Sequence, residues 1–266
     1  MMKKWILIGG AVVIIIIIIA IVIGISNIGP IIKTAVNTYG PKITKTDLRL
    51  DDVGISILSG KLKLKGFYLG NPKGFKSPEA MKVKSIYIAI DKKSLTKDPI
   101  IIDTIEIARP EITYEKALNT DNFNKIIDNV NKSVGTDKAS KEKTAETSEG
   151  KKLLIRDLII KEGKVNLATS LPIGKNISAA LPDIHLKNIG GEKEGASSAK
   201  VAEEILAALY SKITSPDVTK ALNEELKAFS KDAQKQLEGA AGSTVKGASE
   251  ELEGAAGKAV KGLLGK

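Results

Sequence analysis

Leu48–Gly70 reads LRLDDVGISILSGKLKLKGFYLG, and its period decides the fold. Apolar residues recur at every second position, and K-L-K-L-K alternates strictly. Leu62 and Leu64 therefore face one side of a strand, and Lys61, Lys63 and Lys65 face the other. Ser59-Gly60 supplies the turn between two such strands. Working outward, VKSIYIAID from Val83 adds a strand with Ile86, Ile88 and Ile90 on one face. IIIDTIEIARPEITYE from Ile100 adds one or two more, carrying Ile105 and Ile107. Asp51-Asp52 is read as a turn, because adjacent strand residues point to opposite faces and make a poor metal pair.

Spacing turns helical at TDNFNKIIDNV, with Thr120 or Asp121 as N-cap and Phe123, Ile126, Ile127 and Val130 on the buried face. Residues 131–150 carry four charges of each sign and almost no apolar side chains, the pattern of a linker or mobile insertion. Strands resume in LLIRDLIIKEGKVNLATS and ISAALPDIHLKNIG, predicted to continue the same sheet. After Gly190-Gly191 the chain becomes helical again. SSAKVAEEILAALYSKI is one helix, and Ser215-Pro216-Asp217 opens a second with Val218, Leu222, Leu226 and Phe229 on one stripe. The stripe continues into a repeated tail, LEGAAGSTVKGA from Leu237 and LEGAAGKAVKGL from Leu252. Its glycines weaken a helix in water, so it reads either as a helix ordered by a membrane or partner, or as a frayed end.

Upstream, Trp5–Ile25 is an uncharged run of 21 residues, WILIGGAVVIIIIIIAIVIGI. At about 1.5 Å per residue it matches a bilayer core. Lys3 and Lys4 precede it and no charge follows until Lys33, which keeps the N-terminus cytoplasmic and exports the rest. The run is too long for a signal peptide and lacks an A-x-A end, so it reads as an uncleaved anchor. IIKTAVNTYG, bounded by Pro30 and Gly40-Pro41, is a short helix with Ile32, Val36 and Tyr39 on one face.

The 266 residues include no cysteine and one histidine, His185, which removes disulfides, thiolate sites and multi-histidine metal sites. No nucleophile, phosphate-loop or dinucleotide motif is present, so no catalytic residue and no cofactor is assigned, and an enzyme is not expected. The +10 net charge resides in the β part, +5 over residues 30–130 and +4 over 151–190, against −1 over 191–266. Export and the lack of aromatics between the lysines argue against nucleic acid. The lysine face is either a solvated sheet surface or a partner for anionic headgroups. The aliphatic face is either an ordinary core or a groove for acyl chains.

The anchor, the S-G-K-L-K-L-K-G block, the L-G-N-P-K-G-F turn of Leu69–Phe75 and R-P-E-I-T-Y-E from Arg109 together resemble bacterial AsmA-like proteins. LLIRDLIIKEGKVNLA, LPDIHLKNIGG and VAEEIL add to the resemblance, which covers residues 1–130 and 151–210. It implies an inner-membrane-anchored periplasmic protein whose curved β-groove holds phospholipid, related to bridge-like lipid transfer proteins and without catalytic residues.

The resulting expectation is an α+β chain with a transmembrane helix, a curved antiparallel sheet and C-terminal amphipathic helices. Its segments are 1–29 (anchor), 30–130 and 151–190 (β-domain), 131–150 (linker) and 191–266 (helices). About eight strands at 4.8 Å spacing give a groove roughly 40 Å long. Leu62, Leu64, Ile86, Ile88, Ile90, Ile105 and Ile107 line it, with Lys61, Lys63 and Lys65 toward headgroups. Partners are phospholipid and the inner membrane, with a second copy or a longer envelope protein to complete a bridge. The alternative is a non-lipid adaptor, a membrane-tethered β-sandwich that binds a protein. The two differ in whether the second β-block pairs edge to edge with the first or packs over it.

Overall fold

Alternation every second residue becomes one sheet, assembled among the described residues from ten strands that run as six long, bent ones. The structure is a computed structural model that describes residues 28–56, 59–117, 119–141, 152–168 and 177–240. Its elements are α1 (Ile28–Thr44), β1 (Leu48–Arg49), β2 (Asp52–Ser56), β3 (Lys61–Gly70), β4 (Glu79–Ile90), β5 (Ile100–Ala108) and β6 (Glu111–Glu115). They continue as α2 (Asn122–Lys141), β7 (Leu153–Lys161), β8 (Gly163–Ala168), β9 (Ile177–Leu181), β10 (Ile184–Ile189), α3 (Ser198–Ile213) and α4 (Pro216–Ala240). Strands β1/β2, β3, β4, β5/β6, β7/β8 and β9/β10 lie side by side in chain order. The sheet is curled.

The second block pairs edge to edge with the first, β7 on β5 and β8 on β6, so the chain is not a two-sheet sandwich. Both pairings are parallel, which corrects the antiparallel expectation: the sheet is mixed. The physical reason is the connection. The chain leaves β6 through α2 and returns to β7 running the same way, as a helical crossover permits and a tight hairpin does not. Six strands place the outer two about 24 Å apart, shorter than the 40 Å groove expected from eight.

The helices pack on one face of the sheet. Ile32, Val36 and Ile43 of α1, Phe123, Ile126 and Val130 of α2, Val201, Leu209 and Ile213 of α3, and Val218, Leu222 and Leu226 of α4 join the same buried cluster as the strand residues. Asp121 caps α2, its carboxylate accepting from the Asn124 amide at 2.8 Å. Helix α1 runs through Gly40-Pro41 to Thr44 rather than ending there. Gly40 serves close approach, since a Cβ on it would lie 2.5 Å from Leu48 Cδ2. Helix α2 likewise extends to Lys141, into the stretch read as linker.

Both sheet edges meet helix side chains. The Asn37 amide accepts from the Leu50 N–H at 2.7 Å and donates to the Leu50 carbonyl at 3.2 Å, standing in for a missing strand. On the far edge Glu225 accepts from the Ser178 N–H. Such caps blunt an edge that would otherwise template another strand. No helix among the described residues is long and apolar enough to cross a membrane. The span Trp5–Ile25 and the tail beyond Ala240 lie outside the described residues.

Candidate functional site

The seven aliphatic residues singled out in the sequence come together on the helix-covered face. Pairing joins Val53, Leu64, Ile86, Ile107, Ile160 and Ile184 in one unbroken row across six strands. The adjacent row is Ile55, Leu62, Ile88, Ile105, Leu158 and Leu186. Ile90 pairs with Ile102 beyond them, across a bulge. Every member is Val, Leu or Ile. Sequence reading found the central strands of these rows and missed Val53, Ile55, Leu158, Ile160, Ile184 and Leu186, whose alternation is equally regular.

The rows are also well covered. Leu62, Leu64, Ile88, Ile90 and Ile105 are at most 5% exposed, while Ile86 and Ile107, next to each other, remain partly accessible. Each such side chain taken from water contributes about 1.5–3 kcal/mol, so the face is a principal source of stability.

On the opposite face Lys61, Lys63 and Lys65 project outward, with Lys63 Nζ 5.1 Å from the Tyr87 ring centroid and Lys65 bonded to Asp52 at 2.9 Å. That bond, with the ammonium charge behind it, holds the Asp52 carboxyl below the usual carboxylate range. His185 is on this surface too, 2.6 Å from Asp157 Oδ1. No group of three or more His, Cys, Asp or Glu able to hold a metal occurs among the described residues.

Between the two halves of the sheet runs a crease that the sequence reading did not anticipate. Inward-facing positions mostly step by two along the strands, and by three at one place that all six share: Leu50 to Val53, Leu64 to Phe67, Val83 to Ile86, Ile107 to Pro110, Ile160 to Gly163, Leu181 to Ile184; β5, β7 and β10 repeat such a step nearer one end, from Ile102 to Ile105, Ile155 to Leu158 and Leu186 to Ile189. Two consecutive residues then face outward in each strand. Asp51-Asp52 is such a pair, both exposed, so it marks the crease and not a turn. A bulge in a single strand shifts its register. Here all six strands slip together, so Ile107↔Ile160 and Ile112↔Val165 keep one register across it. Gly66, Arg109 and Glu162 lie on this line with φ of 63°, 53° and 55°. Gly66 is required there, because a Cβ would meet Asp51 Oδ2 at 1.9 Å.

Two hollows open on the outer face. One, about 670 Å³, spans the crease among Arg49, Asp51, Tyr68, Lys82, Lys84, Tyr87, Arg109 and Glu111. A smaller one, about 260 Å³, lies among Lys61, Tyr87, Ala89, Thr104 and Glu106.

The motif turn Leu69–Phe75 is held by a buried polar knot. Asn122 donates to Asn71 Oδ1 at 2.8 Å and to the Thr113 carbonyl at 2.7 Å, and accepts from the Glu115 N–H at 3.1 Å. Glu115 accepts from the Lys76 and Ser77 amides and the Ser77 hydroxyl at 2.6–2.8 Å. These motif residues fix the sheet to α2; they do not line the aliphatic rows.

The AsmA family profile matches residues 2–201, three quarters of the chain. The chain belongs to the AsmA family. The matched region includes the whole sheet, the crease and the start of α3. No curated protein matches the chain.

Proposed function

We propose that this AsmA-family chain is a membrane-anchored, non-enzymatic protein of the bacterial envelope that holds phospholipid acyl chains against the inner face of its sheet, in lipid transport or envelope maintenance. Trp5–Ile25 anchors it in the inner membrane with the sheet in the periplasm. The observation that carries the reading is the pair of aliphatic rows, which run across six strands without one polar or aromatic member. A 16-carbon chain gains roughly 12 kcal/mol there at about 0.8 kcal/mol per buried CH₂, before entropic costs. Because α1–α4 already pack on this face, a lipid enters by displacing helix contacts, starting where Ile86 and Ile107 are partly accessible. One copy is too short to cross a periplasm, so bridging needs further copies or a longer envelope protein.

A photoactivatable side chain at Ile88, Ile105 or Ile107 of the full-length protein in cells tests this directly. Radiolabelled phospholipid adducts are expected from these positions and not from Thr104 on the outer face. Absence of adducts from all three inner positions overturns the reading.

A second reading is a non-lipid adaptor that binds a protein partner. It is favoured by the near-complete burial of Leu62, Ile88 and Ile105 in a cluster that the chain's own helices share and by the Asn37 and Glu225 edge caps. Protein adducts without lipid adducts would select it.

A further inference from the structure

The 670 Å³ hollow at the crease has no part in acyl binding, since it lies on the other face of the sheet. Its volume falls within the roughly 300–1,000 Å³ typical of small-molecule sites. Four cations line it, Arg49, Lys82, Lys84 and Arg109, against two carboxylates, Asp51 and Glu111. The cations are not equivalent. Lys82 donates to Glu79 at 2.6 Å, and this bond raises its pKa above the usual lysine value. Arg49 is held by Asp47 and stacks on Tyr68, 3.8 Å from the ring centroid. Lys84 has no ion-pair or hydrogen-bond partner among the described residues. Arg109 reaches only Glu162, at 3.7 Å, with the two side chains 78% and 70% exposed. Lys84, and Arg109 with its one long, exposed ion pair, are thus two loosely held cations on neighbouring strands beside one hollow, with Ser85 adding a hydroxyl.

The backbone adds a second observation on Arg109, which it shares with Glu162 on the same crease. Its φ of 53° is unfavourable for any residue with a Cβ and free of penalty for glycine. The same crease uses glycine at Gly66. Open space surrounds Arg109, so no packing requires its side chain, and the chain retains a long cation where glycine fits better. Strain of this kind clusters at functional sites, and on the crease it falls on Arg109 and on Glu162, its ion-pair partner. A guanidinium fork beside an ammonium and a hydroxyl is a donor set suited to phosphate oxygens.

We propose that the crease hollow binds a phosphate-bearing ligand, with Arg109 and Lys84 donating to its phosphate oxygens. A lipid headgroup and a free phosphate share this chemistry. The test uses the full-length protein in detergent micelles, titrated calorimetrically with inorganic phosphate and separately with a short-chain, soluble phosphatidylglycerol. Arg109→Gly preserves the bend, so its melting temperature is expected to be unchanged or higher while affinity falls at least tenfold. Lys84→Gln, at an exposed position, is expected to lose a similar factor and serves as the readout if Arg109→Gly alters folding. Binding of phosphate itself identifies the phosphate group as sufficient; binding of the short-chain lipid alone, weakened in Arg109→Gly and Lys84→Gln, identifies a headgroup. Either supports the proposal. No saturable binding of either ligand, or wild-type affinity in both variants, overturns it. Acyl adducts at Ile88 or Ile105 report on the other face and stand or fall separately.

Discussion

The two faces of the sheet are built from the same strands in the same register, yet they are different materials. On the inner face the row from Val53 to Ile184 is wholly aliphatic. On the outer face the row Arg49, Tyr68, Lys82, Glu111, Lys164 and Ala180 mixes both charges with an aromatic ring. What joins them is the crease. The shared slip carries the apolar face straight past the bend while placing two residues outward per strand, at least one of them polar. Continuity inside and crowding of charge outside are therefore one event, and a bend that preserves the core creates a polar hollow.

The sharpest way to break this comparison is to exchange the character of neighbouring residues. Ile88→Asp places a carboxylate in a site 4% exposed and is expected to cost more than 4 kcal/mol or abolish folding, whereas Tyr87→Asp, at a side chain 46% exposed, should stay within about 1 kcal/mol. Urea unfolding of the two variants measures the contrast, and similar losses would show that the outer face is also core.

The crease itself is next in size. Gly66→Ala adds a Cβ onto Asp51 at a φ of 63° and is expected to destabilise by about 1–3 kcal/mol. Repeating it in an Asp51→Gly background should recover the steric part and leave the backbone part, a double-mutant cycle readable by thermal denaturation.

The helix layer offers a third test. Tyr210 donates to Asp121 at 2.9 Å and meets Asn124, and burial first, with that hydrogen bond second, pushes its phenol up to about 12. Tyr114 is raised as well, chiefly by burial. The folded state therefore holds protons that the unfolded chain gives up near 10, so their stabilising contribution is intact below pH 10 and is lost as pH rises toward 12 and beyond. Tyr210→Phe should weaken this alkaline dependence in pH-resolved urea melts; an unchanged slope would remove Tyr210 from the account.

The smallest effect is expected at the surface pair. Asp52→Asn breaks the bond to Lys65, yet both side chains are about half exposed, so stability should be nearly unchanged and lose its salt dependence. A larger loss would mean that the outer face contributes to folding through its charges.

Several features were legible in the sequence because they are local. The period-two runs predicted the strands, and Leu62, Leu64, Ile86, Ile88, Ile105 and Ile107 do share a face. Ser215-Pro216-Asp217 marked the start of α4, and Thr120 or Asp121 the cap of α2, of which Asp121 is the one that accepts from the helix. The crease was present too, as a pair of residues, at least one of them polar, interrupting each alternation: L-D-D-V, L-K-G-F, V-K-S-I, I-A-R-P, I-K-E-G and L-P-D-I. Each alone reads as a turn or an irregularity. Only pairing shows that the six lie on one line, because their alignment depends on register between strands distant in the chain. The parallel contact was hidden for a related reason: a half-buried strand shows the same period beside a parallel or an antiparallel neighbour.

Side-chain pattern, then, was set by the sequence alone: which residues are apolar, at which period, and where a cap or turn stops the run. These follow from local sterics and from the preference of aliphatic groups to leave water, which need no partner to be named. Tertiary structure decided what lay beside what. It made one mixed sheet out of two blocks, laid helices over its aliphatic rows, and aligned six small irregularities into a crease with Arg109 and Lys84 at its hollow. Those outcomes depend on hydrogen-bond register and on competition among faces for cover, quantities that belong to pairs of segments and to neither segment by itself.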